Sequence, residues 1–380
     1  MKILTIIGAR PQIIKAAALS RAINKHFSIS IQEVIVHTGQ HYDKNMSQVF
    51  FDELDIPAPN YNLEVGSASH GLQTAQMIIG IEKILIKENP NYIILYGDTN
   101  STLAGAVAAS KIHIPVVHIE AGLRSFNKRM PEEVNRILCD HVSSLLFTPT
   151  KTGYQNLLNE GFRENKEPFR ADNPGIFYCG DVMYDNTLFF ADVAEEKTCI
   201  LSGLNLLNRN FILATIHRDQ NTDNPVRLQA IFEALLEISL EKKIQVVLPL
   251  HPRTKKKMEI FPVELRKRLN EFMNIQIIPP VSFLEMIVLE KNSELVITDS
   301  GGVQKEAYYF HKPCVILRPE TEWVEILEAG TGILADAEKG KIKEAVNQLL
   351  YKSFEFPALY GDGHAAEFIC QTLLDNHEKQ

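Results

Sequence analysis

The sequence predicts an α/β protein of two Rossmann-like, doubly wound domains facing a central cleft. Three observations carry that expectation. Short runs such as KILTIIGA (2–9), YIILYGD (92–98), FILATIH (211–217) and ELVITDS (294–300) are rich in β-branched residues and continuously apolar. Alternation is missing, as in parallel strands buried on both faces. Each run is followed by a longer segment with helical spacing, the rhythm of doubly wound sheets. The 380-residue length also exceeds what one ordinary core organises.

Composition narrows the class. Hydrophobic residues at 45% and charged residues at 23% are ordinary for a soluble protein. A net charge of −8 argues against nucleic acid as a general partner. Five scattered cysteines without a CxxC pair fit a reducing compartment and no structural zinc. The apolar amino terminus is interrupted by Arg10, Pro11, Gln12 and Lys15 before a secretory core could form. No stretch approaches the roughly 18 apolar residues of a membrane span. A cytoplasmic protein without a membrane partner is expected.

The remaining strand-like runs are QEVIVHTG, VVHIEAG, LLFTPT, QVVLPLH and CVILRP. Between them, EGFRENKEPFRADNPGIF (160–177) is polar and rich in turn formers, and reads as a surface loop. YCGDVMYDNTLFFADVAEE (178–196) reads as a connecting helix. The expected domains are therefore 1–185 and 205–355, with a helix in 356–380 that packs back on the first. In such sheets ligands sit beyond the carboxyl ends of the strands, and there the polar clusters fall.

In GARPQIIK (8–15), Pro11 suits the first turn of a helix. Arg10 and Lys15 flank that helix amino terminus and point to an anion such as phosphate. TDSGGVQKEA (298–307) places Ser300, Gly301 and Gly302 between a strand and a helix, where bare backbone and a hydroxyl can cradle a diphosphate. Glu306 could cap that helix or accept hydrogen bonds from ribose hydroxyls. Asp98 and Glu120 each follow a buried strand, where a carboxylate is costly unless paired or open to a cleft. Arg124 and Arg136 are candidate partners. Glu132 and Glu133 start a helix after Pro131, where at least one of them serves the helix dipole. Carboxylates gathered in a cleft have raised pKa values and suit proton transfer near neutrality. His217 with Arg218, and His251 with Arg253, end two strands of the second half, suiting diphosphate contact or acid catalysis. Metal-ligand spacing is absent, and HYDKN (41–45) reads as a polar loop.

Taken together, GARPQIIK, GDTNSTLAG, HIEAGLRS, PEEVNR, TDSGGVQKEA and TEWVEILEAG resemble the non-hydrolysing UDP-N-acetylglucosamine 2-epimerase family in order and spacing over almost the whole chain. The resemblance implies a GT-B-like pair of Rossmann lobes, a homodimer, a UDP-sugar substrate and no cofactor or metal. It implies inversion at C2 by anti elimination of UDP to a 2-acetamidoglucal, followed by re-addition. It gives proton handling to Asp98, Glu120 and Glu132, and a place at the diphosphate or leaving oxygen to His217. UDP binding falls to Arg10, Ser300, Gly301, Gly302 and Glu306, with Lys15, Arg136, His251 and Arg253 as further substrate contacts.

Some positions depart from the family pattern. Gln12 stands where RPE is usual, and TEWVE (321–325) where TERPE is usual. These changes resemble a branch acting on UDP-2,3-diacetamido-2,3-dideoxy-D-glucuronate, whose extra groups need an altered sugar pocket. QHYD (40–43) carries Asp43 where an activating second substrate site would have Gln. A hydrolysing relative that releases N-acetylmannosamine, and a GT-B glycosyltransferase, are the competing readings.

Overall fold

In the computed structural model, which describes residues 1–39, 57–272 and 274–379, the strands form two all-parallel sheets. The first holds β1 (Lys2–Ile7), β2 (Gln32–His37), β3 (Tyr61–Asn62), β4 (Tyr92–Tyr96), β5 (Val116–Ile119), β6 (Leu145–Thr148) and β7 (Gly175–Tyr178). Their spatial order is β3-β2-β1-β4-β5-β6-β7. The second holds β8 (Phe211–Thr215), β9 (Gln245–Pro249), β10 (Ile275–Ile278), β11 (Leu295–Thr298), β12 (Cys314–Ile316) and β13 (Gly332–Leu334), in the order β10-β9-β8-β11-β12-β13. The two sheets belong to separate units, Met1–Asn186 with Ala358–Gln380, and Thr187–Pro357.

Both orders are doubly wound. The chain runs outward on one side of β1 or β8, then resumes on the other side at β4 or β11. That reversal opens a crevice at the carboxyl ends of the central pair, where ligands of such sheets bind.

Burial explains why the inner strands are continuously apolar. Along β8, Ile212 and Ala214 pack beneath the helix Pro225–Lys242 with Leu228, Ile231 and Leu235. Phe211 and Leu213 face the other way, with Leu289 of the helix Phe283–Asn292. In the first unit, Leu4, Ile6, Ile93 and Leu95 share a core with Met77, Ile81 and Leu85 of the helix His70–Glu88. Ala104 and Ala108 of the helix Asn100–Lys111 join them.

Four strands escaped the apolar-run criterion: β3, β7, β10 and β13, the edges of the two sheets. An edge strand is short and covered on fewer sides, so its sequence stays mixed. β3 has two residues, and β10 and β13 are each only partly buried. β7 corrects the expectation that 160–177 is wholly loop, since its last residues pair with β6.

The final helix, Ala365–Glu378, belongs to the first unit and packs on the helix Arg10–Ala22. Buried Asn376 accepts from Phe169 N at 3.0 Å and donates to Tyr92 Oη at 2.8 Å. Asp185 accepts from Ala365 N at 3.2 Å and Ala366 N at 2.8 Å, a carboxylate against a helix amino terminus. No helix among the described residues is long and apolar enough to cross a membrane.

Burial pushes Asp185 up to about 6, against the pull of those N–H donors. Its folded value therefore lies above the unfolded one, near 3.9. The stability linked to this group is fully present below about pH 4 and is lost as pH rises through about 6, an effect of order 2–3 kcal/mol. Asp185→Asn keeps a capping acceptor and should flatten that slope, which urea midpoints at about pH 4 and about pH 7 will measure.

Candidate active site

In the first unit the crevice is built by the ends of β1, β4 and β5. Gly8 ends β1 beneath the next helix; a Cβ there would lie 2.1 Å from Thr38 Oγ1 and 2.2 Å from Ser101 Oγ. Gln12 locks the corner. Its oxygen accepts from Gly8 N at 2.9 Å and Ala9 N at 3.2 Å, and its nitrogen donates to Tyr96 O and Thr102 Oγ1, both at 3.0 Å. Gln12, expected to help reshape a sugar pocket, is buried and serves the fold instead. Arg10 opens the helix Arg10–Ala22; its side chain lies outside the described residues, as does QHYD (40–43).

After β4 the hydroxyl and amide residues are mostly structural. Thr99 caps the helix Asn100–Lys111, accepting from Thr102 N at 3.3 Å. Ser101 bonds Thr38 at 2.8 Å, and Asn100 donates to Gln73 at 2.8 Å. Asp98 differs. Its carboxylate, about a third exposed, pairs with Arg136, and Arg136 also reaches Glu133 at 3.1 Å. Glu120 ends β5 with φ +73°, a left-handed conformation that costs a residue with a Cβ about 1–2 kcal/mol. Glu120 N and Ala121 N both donate to Phe147 O, at 3.1 and 3.0 Å, holding that geometry. Its carboxylate pairs with Lys15. Lys15, placed by the sequence beside a bound anion, is thus engaged by Glu120. Retained backbone strain at a charged residue of this kind is a mark of function.

The two acids of PEEVNR separate by helix phase. Glu133 is buried and accepts from Ser125 N at 3.0 Å and Phe126 N at 2.8 Å, pinning the preceding loop. Glu132 is exposed on the first turn of the helix Pro131–Val142.

The second unit builds its crevice from β8 and β11. Asp299 is fully buried and accepts from His217 N at 2.9 Å, Arg218 N at 3.1 Å and Asn221 Nδ2 at 2.9 Å, fixing the loop after β8. Ser300 caps the helix Gly301–Tyr309, leaving the N–H groups of Gly301 and Gly302 at an open helix start. Glu322 closes one side: a Cβ on Gly301 would lie 2.6 Å from its Oε1. Glu322 is held by Arg318 at 2.8 Å, and Lys305 lies over the Trp323 ring, 4.2 Å from its centroid. His217 is solvent-exposed, yet lost hydration on its protein side holds it below its ordinary value, opposed by Asp299 and reinforced by His251. It is therefore neutral near pH 7 and can donate or accept. His251 caps the helix Pro252–Lys257 through Nδ1, and exposed Arg253 bonds Asp223 at 2.9 and 3.0 Å. Glu306 lies on the second turn after the glycines, half-buried. Each unit therefore gathers its candidates at its own crevice: Asp98, Glu120, Lys15 and Arg136 in the first, His217 and Ser300–Gly302 in the second.

A cavity of about 620 Å³ opens elsewhere, lined by Ile114, Pro115, Ser144 and Phe169 at the amino ends of β5–β7. It contains none of these acids and lies at the wrong strand ends for a ligand site of this fold. Among the described residues no cluster of three or more His, Cys, Asp or Glu could hold a metal ion.

The model of the UDP-N-acetylglucosamine 2-epimerase family matches residues 22–374. The chain belongs to this family. It is 50% identical to the UDP-2,3-diacetamido-2,3-dideoxy-D-glucuronate 2-epimerase of Pseudomonas aeruginosa, over 98% of this chain and 99% of that one. It is 49% identical, with the same coverage, to a UDP-N-acetylglucosamine 2-epimerase homolog of Methanococcus maripaludis. Its fold matches the crystal structure of the Methanocaldococcus jannaschii UDP-GlcNAc 2-epimerase in complex with UDP-GlcNAc and UDP. The TM-score is 0.82 at 44% identity, over 98% of this chain and 99% of that one. The GT-B-like fold expected from the family motifs is the one observed.

Within this epimerase fold, sequence reasoning passed over three buried groups: His118, Asp140 and Asp299. For His118 and Asp299 the available signal was a polar residue inside or directly after an otherwise apolar strand, as in VVHI; Asp140, on the helix Pro131–Val142, carried none.

Glu133 and Glu132 should differ in the cost of truncation. Glu133→Ala orphans two N–H groups and leaves the buried Arg136 guanidinium with Asp98 alone, and should cost about 2–4 kcal/mol. Glu132→Ala should cost less than about 1 kcal/mol. Denaturant unfolding of the two variants checks this.

Proposed function

We propose that this chain is a non-hydrolysing UDP-sugar 2-epimerase that inverts C2 of a UDP-2-acetamido sugar. The observation that carries the reading is the cation-paired carboxylates, Asp98 with Arg136 and Glu120 with Lys15, at the crevice of the first sheet. C2 has no adjacent carbonyl, so its hydrogen is removed only as a leaving group departs. A carboxylate takes the C2 proton, the C–H electron pair forms the C1–C2 double bond, and the C1–O pair leaves with UDP. Re-addition of a UDP oxygen to C1, with a proton delivered to the opposite face of C2, completes inversion. Asp98, Glu120 and Glu132 share the proton handling. Arg136 and Lys15 hold two of these carboxylates in place for the transfer.

The departing diphosphate needs positive potential and N–H donors. The helix start at Ser300, Gly301 and Gly302 supplies the donors, with Arg10 as a cation; Glu306 receives the ribose hydroxyls. His217, neutral near pH 7, assists at the leaving oxygen.

The substrate read here is UDP-2,3-diacetamido-2,3-dideoxy-D-glucuronate, converted to its manno epimer for surface polysaccharide. TEWVE and the Pseudomonas aeruginosa relative at 50% identity support it. UDP-N-acetylglucosamine is the second reading, favoured by the Methanococcus maripaludis relative at 49%. A cytoplasmic homodimer completes the picture, in keeping with five free cysteines.

Incubation with each nucleotide sugar in heavy water, followed by NMR, tests the reading. Inversion with deuterium entering C2 is expected, faster for the diacetamido-glucuronate. Free sugar building up would mark a hydrolysing enzyme, and an unchanged spectrum with both sugars would refute the proposal. Asp98→Asn, Glu120→Gln and Glu132→Gln should each lower turnover by about 10² or more. Unaltered turnover in all three would remove the acids from the mechanism.

A further inference from the structure

His118 sits in the middle of β5, fully buried, with a hydrogen-bond acceptor at each ring nitrogen. Nδ1 is 2.6 Å from Asp140 Oδ1, and Nε2 is 2.7 Å from the carbonyl oxygen of Gly97. A carboxylate and a carbonyl only accept, so both nitrogens carry protons and the ring is an imidazolium. Asp140 extends the connection. Its second oxygen accepts from Gly122 N at 3.2 Å and pairs with Arg124 Nη1 at 2.8 Å. One carboxylate therefore holds two turns. Through His118 it holds the Gly97–Asp98 peptide, and directly it holds the turn that begins at Glu120. The second turn is not relaxed by itself, since Glu120 has positive φ, whereas Gly97 and Gly122 adopt positive φ without strain. Asp140 also lies on the helix Pro131–Val142, which carries Arg136, the partner of Asp98.

We infer that His118 and Asp140 are positioning residues of the epimerase, a buried clamp that sets the Asp98 and Glu120 carboxylates against each other for transfer at C2. The inference rests on the proposed function for its chemistry and on the hydrogen bonds for its geometry. Burial alone would lower the His118 value, but Cys139 and Asp140 outweigh it and hold it well above the ordinary range. Burial likewise works against ionised Asp140, and His118 with Arg124 keeps it low. Neither residue touches substrate in this account. A misplacement of about 1 Å in such carboxylates is enough to lower turnover by about 10².

Two amide substitutions separate positioning from general support. In His118→Gln the amide nitrogen reaches toward the place of Nε2 and keeps the bond to Gly97 O. In His118→Asn it stays near the place of Nδ1 and keeps only the bond to Asp140. Both bury one neutral amide, so their effects on stability should be similar. Per UDP-binding-competent molecule, His118→Asn should lose at least about 10² in kcat with KM within about threefold, and His118→Gln should recover most of that loss. Nitrogen-15 NMR of histidine-labelled wild-type protein should show one ring doubly protonated at about pH 8, where an ordinary histidine is neutral, and that signal should vanish in both variants. Equal loss of kcat in the two variants would overturn the inference. So would disappearance of binding-competent protein in both, or a neutral His118 ring. A wild type that inverts no UDP-sugar would instead remove the functional reading, while the ring's protonation still tests the clamp.

Discussion

A carboxylate at the end of a strand buried on both faces stays ionised only where a cation or N–H groups meet it. The arrangement of both units follows from that constraint, and the acids divide by how they satisfy it. Asp140 and Asp299 are fully buried, and donors meet both oxygens of each. Neither oxygen pair is open to a ligand, and removing either residue would leave a loop without its anchor. Asp98 and Glu120 each pair with one cation and keep part of their surface open, 30% and 12%. A carboxylate so placed is held in position yet accessible, which is what removal of a proton from carbon requires.

The same constraint ties the fold to the chemistry. Doubly wound order opens a crevice where β1 meets β4 and where β8 meets β11, and it leaves the strand-terminal side chains without neighbours on one side. Glycine at Gly8 and Gly301 lets backbone and side chains approach closely there. In the first unit the crevice collects paired charges; in the second it ends on an open helix start. One set suits proton transfer and the other an anion, the two needs of an elimination that expels a nucleotide.

How much of this was legible in the sequence depended on burial. Inner strands such as YIILY and LVIT are covered on both faces, so apolar residues dominate there and the run is unmistakable. The edge strands β3, β7, β10 and β13 lack that pressure and did not stand out as apolar runs. Asp98 and Glu120 stood out because a charge directly after such a run needs a reason. Which of Glu132 and Glu133 faces solvent depended on helix phase, and the Lys15–Glu120 pair on a contact between distant segments, neither visible in spacing. His118 carried a signal of its own, a polar residue inside VVHI, but its meaning came only with Asp140 and the Gly97 carbonyl in place.

Inversion by elimination and re-addition requires reversible breakage of the bond between the sugar carbon C1 and the diphosphate oxygen. Positional isotope exchange measures that step alone: UDP-sugar labelled with oxygen-18 in the bridge to C1 is incubated with the enzyme, recovered, and its label located by phosphorus-31 NMR. If UDP is expelled and re-added, label moves from the bridging to the non-bridging oxygens of the β-phosphate. Inversion at C2 with every oxygen-18 still in the bridge would contradict the account.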